Sequence, residues 1–98
     1  MKHQILNSDE LGIVVRAVRK TSRVRQDDLA MMAGVSKQFV ADVERGKPTA
    51  QIGLVIHLLQ QLGLTFTVTL PDDTRAEMNR IRNKRASGES SDSSDSDA

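Results

Sequence analysis

Residues 26–45 contain two short helix-forming segments joined at Gly34, and this stretch restricts the fold more than any other. Glycine adopts a positive φ without steric cost, so the chain can reverse sharply at Gly34. Ser36 follows the reversal and is placed to cap a second helix. The side chains expected to face inward are Leu29, Ala30, Ala33, Val35, Val40 and Val43. This order predicts a helix-turn-helix, because the small Ala30 lets the two helices cross closely.

The outer side of the second helix carries side chains that suit the edges of DNA bases. Lys37 matches the O6 and N7 atoms of guanine, and Gln38 matches the N6 and N7 atoms of adenine. Ala41 is small enough to touch the methyl group of thymine. Asp42 has two interpretations: it accepts a hydrogen bond from cytosine, or it pairs with a neighbouring lysine or arginine. We therefore predict that these four residues read bases in the major groove. A packed helical hairpin without a DNA role is the alternative.

Residues at helix ends and connectors are expected to bind DNA phosphates, since such contacts position a protein without reading the sequence. The predicted phosphate-binding residues are Arg25, Gln26, Ser36, Phe39, Arg45, Lys47 and Thr49. Phe39 either packs on the deoxyribose backbone or covers the core. For each basic residue of the set, a solvated surface charge is the alternative.

Charge is unevenly distributed along the chain, although the formal net charge is only +1. All 14 lysine and arginine residues precede residue 87, whereas residues 87–98 contain only acidic charges. The chain therefore has a basic part followed by an acidic tail. The basic part favours a nucleic-acid partner. Only Phe39 and Phe66 are aromatic. This argues against single-stranded DNA, which is bound by stacking bases on aromatic side chains.

Enzymatic and metal-dependent functions lack support in the sequence. There is no cysteine, and His3 and His57 are far apart. No glycine-rich phosphate loop and no paired carboxylates with a basic partner are present. We therefore predict no enzyme activity, no catalytic residue, no metal site and no cofactor. No apolar run reaches the length of a transmembrane helix, so we expect a cytoplasmic protein without a membrane partner.

Helical spacing predicts further helices around the central motif. We expect a first helix from a cap at Ser8 or Asp9 to about Lys20, and a fourth from Thr49 to Leu62. The expected core stripe of the fourth helix is Ile52, Val55, Ile56, Leu59 and Leu62. The neighbouring edge, Leu54 and Leu58, is either part of a wide core face or an interface for a partner protein.

Residues 64–70 alternate between apolar and threonine side chains, which is the pattern of a β-strand. The apolar face consists of Leu64, Phe66, Val68 and Leu70. A lone strand is unstable because its backbone groups are unpaired. The short segment 3–6 is one candidate partner, and the same strand of a second copy is the better one. Antiparallel pairing about a two-fold axis satisfies both chains equally, so we predict a homodimer.

We divide the chain into four parts. Residues 1–7 are an N-terminal arm, and residues 8–71 are the DNA-binding and dimerisation domain. Residues 72–86 are a basic extension that can form a short helix, with Thr74 and Glu77 as a capping box. Residues 87–98 are expected to be a disordered acidic Ser/Asp tail. The tail either solvates the chain, weakens non-specific DNA binding, or accepts phosphate on its serines.

Residues 8–70 resemble the XRE/Cro-repressor family, and specifically the antitoxins of the HipB type. The resemblance rests on AGVSKQFVADVERGKPTAQIGLVIHLLQQLGL, above all on ERGKPT followed by the leucine-rich helix and LGL. It implies an all-α, lambda-repressor-like domain with one C-terminal strand that pairs across a homodimer. It also implies that Arg19 and Glu44 form a structural salt bridge. Arg25 departs from the pattern, which commonly has a threonine or serine cap at that position.

The same resemblance implies a function and partners. HipB-type dimers bind an inverted-repeat operator in double-stranded DNA and repress their own operon. Their protein partner is a HipA-like serine/threonine kinase, the toxin, which they hold inactive. For this chain the resemblance therefore implies a bacterial antitoxin, associated with the nucleoid when bound to its operator. A stand-alone XRE-type repressor without a toxin is the alternative, and a protein adaptor that uses Leu54 and Leu58 is a third hypothesis.

Overall fold

A computed structural model describes residues 1–88, which contain five α-helices. The helices are α1 (Ser8–Thr21), α2 (Gln26–Ala33), α3 (Lys37–Glu44), α4 (Ile52–Gln61) and α5 (Thr74–Ala86). The chain divides into two compact units, of which the first is Met1–Phe66 with α1 to α4, and the second begins at Thr67 and contains α5. Within the described range, no helix is long and apolar enough to cross a membrane. Most of the predicted acidic tail lies outside the described residues.

The first unit encloses its hydrophobic core with four helices. Helix α3 packs against α1 and α2, and α2 also packs against α4. Each of the four helices contributes one fully buried aliphatic side chain, namely Val15, Leu29, Val40 and Leu58. Burial of such a side chain stabilises a fold by about 1.5–3 kcal/mol. The predicted all-α architecture is thus confirmed for this part of the chain.

The reversal between α2 and α3 occurs at Gly34, whose φ is +68°. The backbone N–H of Val35 donates to the carbonyl of Ala30 at 3.0 Å, which closes the end of α2. Ala30 and Ala33 are buried where α2 meets its neighbours, as their small size predicts. The central helix-turn-helix is therefore present as the sequence indicates.

The predicted starts of α1 and α4 are wrong in detail. The cap of α1 is Asn7, whose side chain accepts a hydrogen bond from the N–H of Glu10, so neither Ser8 nor Asp9 has this role. Helix α4 begins only at Ile52, and its N-cap Gln51 makes no side-chain capping bond. Thr49 instead lies exposed in the preceding turn.

The predicted apolar faces of α4 are rotated in the structure. Leu58 is fully buried in the core, so of the two interpretations of its edge the wide core face holds for Leu58, and the partner interface does not include it. Leu54 is 37% exposed, whereas Ile52, which was expected in the core stripe, is 66% exposed at the helix start. Val55 and Leu59 are buried as expected. Because α4 is apolar on most sides, packing against α2 rather than sequence spacing selects the inner face.

Residues 64–70 are not helical and pair with no strand among residues 1–88. Leu64 is half-buried and packs against the core of the first unit. The other apolar side chains of the predicted strand, Phe66, Val68 and Leu70, are exposed. The predicted pairing across a two-fold axis involves a second copy, so it stays a prediction.

Helix α5 of the second unit has no buried residue in the described part of the chain. The predicted capping box does not form, because α5 begins at Thr74 itself and its N-cap is Asp73, without a side-chain bond. Glu77 instead pairs with Arg80 one turn later. The hydrogen bond and the positive charge of Arg80 lower the pKa of Glu77.

Candidate nucleic-acid interface

Helix α3 presents its first turn to solvent. Ser36 is its N-cap, and the Ser36 hydroxyl accepts a hydrogen bond from the N–H of Phe39 at 3.0 Å. Lys37 and Gln38 follow directly and are both exposed. The Lys37 ammonium lies 3.0 Å from a carboxylate oxygen of Asp27 at the start of α2. Two predicted base-reading residues therefore occupy the accessible end of the helix.

Asp42 is the centre of a polar cluster on the same helix. The Gln38 side-chain amide donates to Asp42 at 2.9 Å, and the Arg45 guanidinium donates to it at 2.7 Å. The Lys47 ammonium is 3.6 Å from the second carboxylate oxygen. The hydrogen bond from Gln38, opposed by partial burial and helped by the charges of Lys47 and Arg45, lowers the pKa of Asp42. Of the two interpretations of Asp42, pairing with basic neighbours describes this structure.

A buried ion pair holds the other end of α3. The Arg19 guanidinium on α1 donates to both carboxylate oxygens of Glu44, at 2.5 Å and 3.0 Å. The side chain of Glu44 is only 2% exposed and that of Arg19 10%. Arg19 also donates to the carbonyl of Val24 at 2.9 Å. The pair implied by the family resemblance thus connects α1, the loop before α2, and α3.

Gln26 joins this pair as a third member. Its side-chain amide donates to Glu44 at 3.0 Å, from the first residue of α2. Burial alone would raise the pKa of Glu44, but the hydrogen bonds from Arg19 and Gln26, with the charges of Arg19 and Arg16, hold it below its ordinary value. Gln26 was predicted to bind phosphate, and its side-chain amide is engaged inside the protein here.

Two close contacts at the C-terminal end of α3 were missed by the sequence reasoning. A Cβ placed on Gly12 of α1 would lie 2.5 Å from the carbonyl oxygen of Val43 and 2.6 Å from that of Glu44. The Ser8 hydroxyl donates to the carbonyl of Gly46 at 2.8 Å. A glycine inside a helix costs stability relative to alanine, so Gly12 carried a signal of close backbone approach.

The remaining predicted phosphate-binding residues lie at the start of α2, in the first turn of α3 and in the connector after α3. Arg25 is exposed, 3.5 Å from Asp28, and as N-cap of α2 it makes no side-chain capping bond. Phe39 is half-buried and packs against the core. Arg45, Lys47 and Thr49 are exposed after α3. The structure thus places Arg25 at the start of α2, and Arg45 and Lys47 beyond the C-terminal end of α3, while Leu54 lies apart from them on α4.

Comparisons with known proteins agree with this geometry. A family model described as a helix-turn-helix domain matches residues 10–77. An uncharacterized HTH-type transcriptional regulator, y4mF of Sinorhizobium fredii, is 45% identical over 75 residues, which is 76% of this chain and 99% of the relative.

Solved structures show the same fold at low sequence identity. A complex of a HipB variant with an O2 20mer has a TM-score of 0.67 at 19% identity and covers 74% of this chain and 100% of that one. A HipA–HipB–O2–O3 complex contains a chain with a TM-score of 0.66 at 20% identity, covering 72% and 100%. At this identity the likeness concerns the fold.

The fold and the exposed turn of α3 define a DNA-binding protein of the helix-turn-helix class. The chain belongs to the helix-turn-helix family and is an XRE-type DNA-binding transcriptional regulator.

Proposed function

We propose that the protein is a homodimeric, sequence-specific repressor that binds an inverted-repeat operator. The observation that carries the proposal is the exposed first turn of α3, with Lys37 and Gln38 at one end and a buried anchor at the other. Recognition helices of such dimers enter successive major grooves about 34–36 Å apart. In this proposal the exposed N-terminal end of α3 enters the groove first.

The contacts that Lys37 and Gln38 make in the free protein are compatible with base reading. Both the Lys37–Asp27 pair and the Gln38–Asp42 hydrogen bond are exposed. An exposed pair contributes roughly 0–1 kcal/mol, so Lys37 can exchange Asp27 for a base at little cost. Gln38 has a second N–H and its amide oxygen available for adenine, so it can keep its hydrogen bond to Asp42. A good bidentate base contact discriminates by about 1–3 kcal/mol. Asp42 would then orient Gln38 and Arg45 and read no base itself.

Replacement of both base-reading side chains tests this function. In Lys37→Ala/Gln38→Ala, operator affinity should fall by about 2–6 kcal/mol, while affinity for random DNA should fall far less. Lys84→Ala/Gln60→Ala removes the same exposed residue types from other helices and is the matched control. Fluorescence anisotropy with the promoter fragment and a random duplex measures both affinities. Unchanged discrimination between the two duplexes would contradict the assignment.

The dimer is proposed to form through residues 64–70. Phe66 and Val68 are 50% and 68% exposed, and alternate with threonines, so one face of this segment is available to a second copy. Val68→Pro removes a backbone donor and should weaken assembly, whereas Val68→Thr keeps the donor and should assemble like the wild type. Analytical ultracentrifugation measures the result. Wild-type monomers at micromolar concentration would contradict the strand-pairing proposal.

We also propose an antitoxin role, in which the dimer neutralises a HipA-like kinase. The family resemblance of residues 8–70 supports it, and so does the fold shared with HipB in a complex that contains HipA. If the neighbouring reading frame encodes such a kinase, co-expression of this chain should restore growth and the two proteins should copurify. A neighbouring frame without a kinase favours the stand-alone repressor.

A further inference from the structure

Each of the five helices in residues 1–88 is followed by a residue in the left-handed conformation that closes the helix. After α2, α3, α4 and α5 this residue is glycine, with φ of +68°, +84°, +73° and +83° at Gly34, Gly46, Gly63 and Gly88. At α1 it is Arg23, with φ of +60°. The N–H of Arg23 donates to the carbonyl of Lys20, and the N–H of Val24 to that of Arg19, which is the same double closure. Arg23 is the only non-glycine residue among residues 1–88 with a positive φ.

The conformation of Arg23 is unfavourable for a residue with a side chain. A left-handed backbone brings Cβ close to the following carbonyl oxygen, and glycine avoids this contact. The side chain of Arg23 is exposed and forms no ion pair with any residue of the described chain. Neither packing nor a salt bridge therefore explains an arginine at this position, and a strained residue of this kind is often retained for function.

Arg23 lines an open cleft together with other basic side chains. The basic residues of the cleft are Arg16, Arg19, Lys20, Arg23, Arg25 and Lys37, and Asp27 is the one acidic residue. Arg19 is neutralised by Glu44, Arg25 lies near Asp28, and Lys37 lies near Asp27. Arg16, Lys20 and Arg23 have no carboxylate partner within residues 1–88. Three basic side chains without a salt bridge thus line the cleft from α1 and the residues directly after it, and the charge of Arg16 acts on the buried Glu44 without forming such a bridge.

The cleft adjoins the proposed reading surface. Its lining includes Gln26 at the start of α2 and Lys37 at the start of α3. A duplex that places its major groove over the first turn of α3 therefore brings a phosphate backbone towards the same side. Guanidinium groups bind phosphate oxygens well because their donors match the planar arrangement of two acceptors.

We propose that the end of α1 is an additional contact site for the DNA backbone, with Arg23 as its principal ligand and Arg16 and Lys20 beside it. The ligand class is the phosphodiester anion of duplex DNA. The inference rests on the proposed DNA-binding function and adds a site that α2 and α3 do not supply. Arg23 then exchanges folding stability for a charge placed next to the duplex.

Two substitutions of Arg23 separate its strain from its charge. Arg23→Gly removes both, and Arg23→Lys keeps both the charge and the strain. Arg23→Gly should raise the melting temperature by a few degrees while weakening binding to the promoter fragment and to a random duplex equally. Arg23→Lys should have a melting temperature and DNA affinities close to those of the wild type.

The salt dependence of binding provides the quantitative readout. Loss of one phosphate contact in each protomer should reduce the slope of log K against log salt concentration by about 1.8 for the dimer. Relative to binding in 1 M salt, this corresponds to a loss of about eightfold in the association constant per contact at 0.1 M salt. Anisotropy titrations at several salt concentrations, with thermal unfolding followed by circular dichroism, give both measurements on the full chain.

The possible outcomes are distinct. A higher melting temperature with a smaller salt slope in Arg23→Gly supports the site. If the salt slope of Arg23→Gly is unchanged while the separate variant Lys37→Ala/Gln38→Ala loses discrimination between the duplexes, the site is overturned. The proposed function is then still supported. If the wild-type protein shows no salt-dependent binding to either duplex, the site and the proposed function are both overturned.

Discussion

The buried pair of Arg19 and Glu44 gives the strongest prediction for folding stability. Glu44→Gln keeps the shape of the side chain and removes its charge, so the guanidinium of Arg19 loses its counter-charge in a site where it is only 10% exposed. Breaking one side of a buried pair costs about 3–5 kcal/mol. The free energy of unfolding of domains of this size is about 5–15 kcal/mol, so the variant should be only marginally stable.

The double variant Arg19→Met/Glu44→Leu makes the prediction specific. Each single change leaves a buried charge without its partner, whereas the double change removes both charges together. Replacing a whole buried pair by apolar side chains is often neutral or stabilising. Gln26 and the carbonyl of Val24 also lose a partner, each worth about 0.5–1.5 kcal/mol. The double variant should therefore lose roughly 1–3 kcal/mol, which is much less than the sum of the two single changes.

Urea unfolding followed by circular dichroism measures the free energies of unfolding of the wild type, Arg19→Met, Glu44→Leu and the double variant, which form one cycle. Glu44→Gln is measured beside them. All variants are compared at one protein concentration, because the stability of the proposed dimer would depend on concentration. The slope of the free energy of unfolding against urea concentration should stay constant, since these substitutions change the area exposed on unfolding very little. A cost of Glu44→Gln under about 1 kcal/mol would refute the reasoning, and so would a double variant whose loss equals the sum of the singles.

Three further predictions concern acid stability, helix packing and the polar cluster. Since the pKa of Glu44 is lowered from 4.5 on folding, its stabilisation is present above that value and is lost as the pH falls below it; urea midpoints between pH 6 and 3 should show a decline that Glu44→Gln reduces. Gly12→Ala should destabilise the fold by about 1–3 kcal/mol through its clash with α3, whereas Gly53→Ala on α4, where nothing lies within 4 Å, should stabilise it by about 0.4–1 kcal/mol; thermal unfolding checks both. Asp42→Ala should lower the ratio of operator to random-DNA affinity measured by anisotropy, because Gln38 loses its orienting acceptor while Arg45 becomes free to bind any phosphate.

The turn and the inner faces of α2 and α3 were predictable because each residue type there has one strong local reason. Only glycine fits the conformation of Gly34 without strain, and Ser36 follows it at the position of a cap. Leu29 and Ala33 recur at helical spacing in α2, and Val40 and Val43 do so in α3, so each helix has one inner face. Local rules and tertiary packing agree in this part of the chain.

Helix α4 shows why the rest could not be predicted from spacing. With apolar side chains on most sides, a small rotation exchanges Leu58 for Ile52 in the core at little local cost. Only the shape of the groove formed by the other helices decides, and that shape is a property of the folded chain. The pairing of Asp42 with Arg45 and Lys47 was also not predictable from spacing. It depends on distances that the connector after α3 sets in the folded chain.

The anchoring of α3 suits this short helix to the recognition role that we propose for it. Its C-terminal end is fixed by the Arg19–Glu44 pair, by the close approach of Gly12, and by the hydrogen bond from Ser8 to Gly46. Lys37 and Gln38 at its other end are held only by exposed contacts. A helix fixed in this way loses little freedom on binding, which lowers the entropic cost of recognition. Substitutions along its eight residues should therefore divide by position: those near Glu44 should change unfolding free energy, and those near Lys37 should change discrimination between duplexes at constant stability.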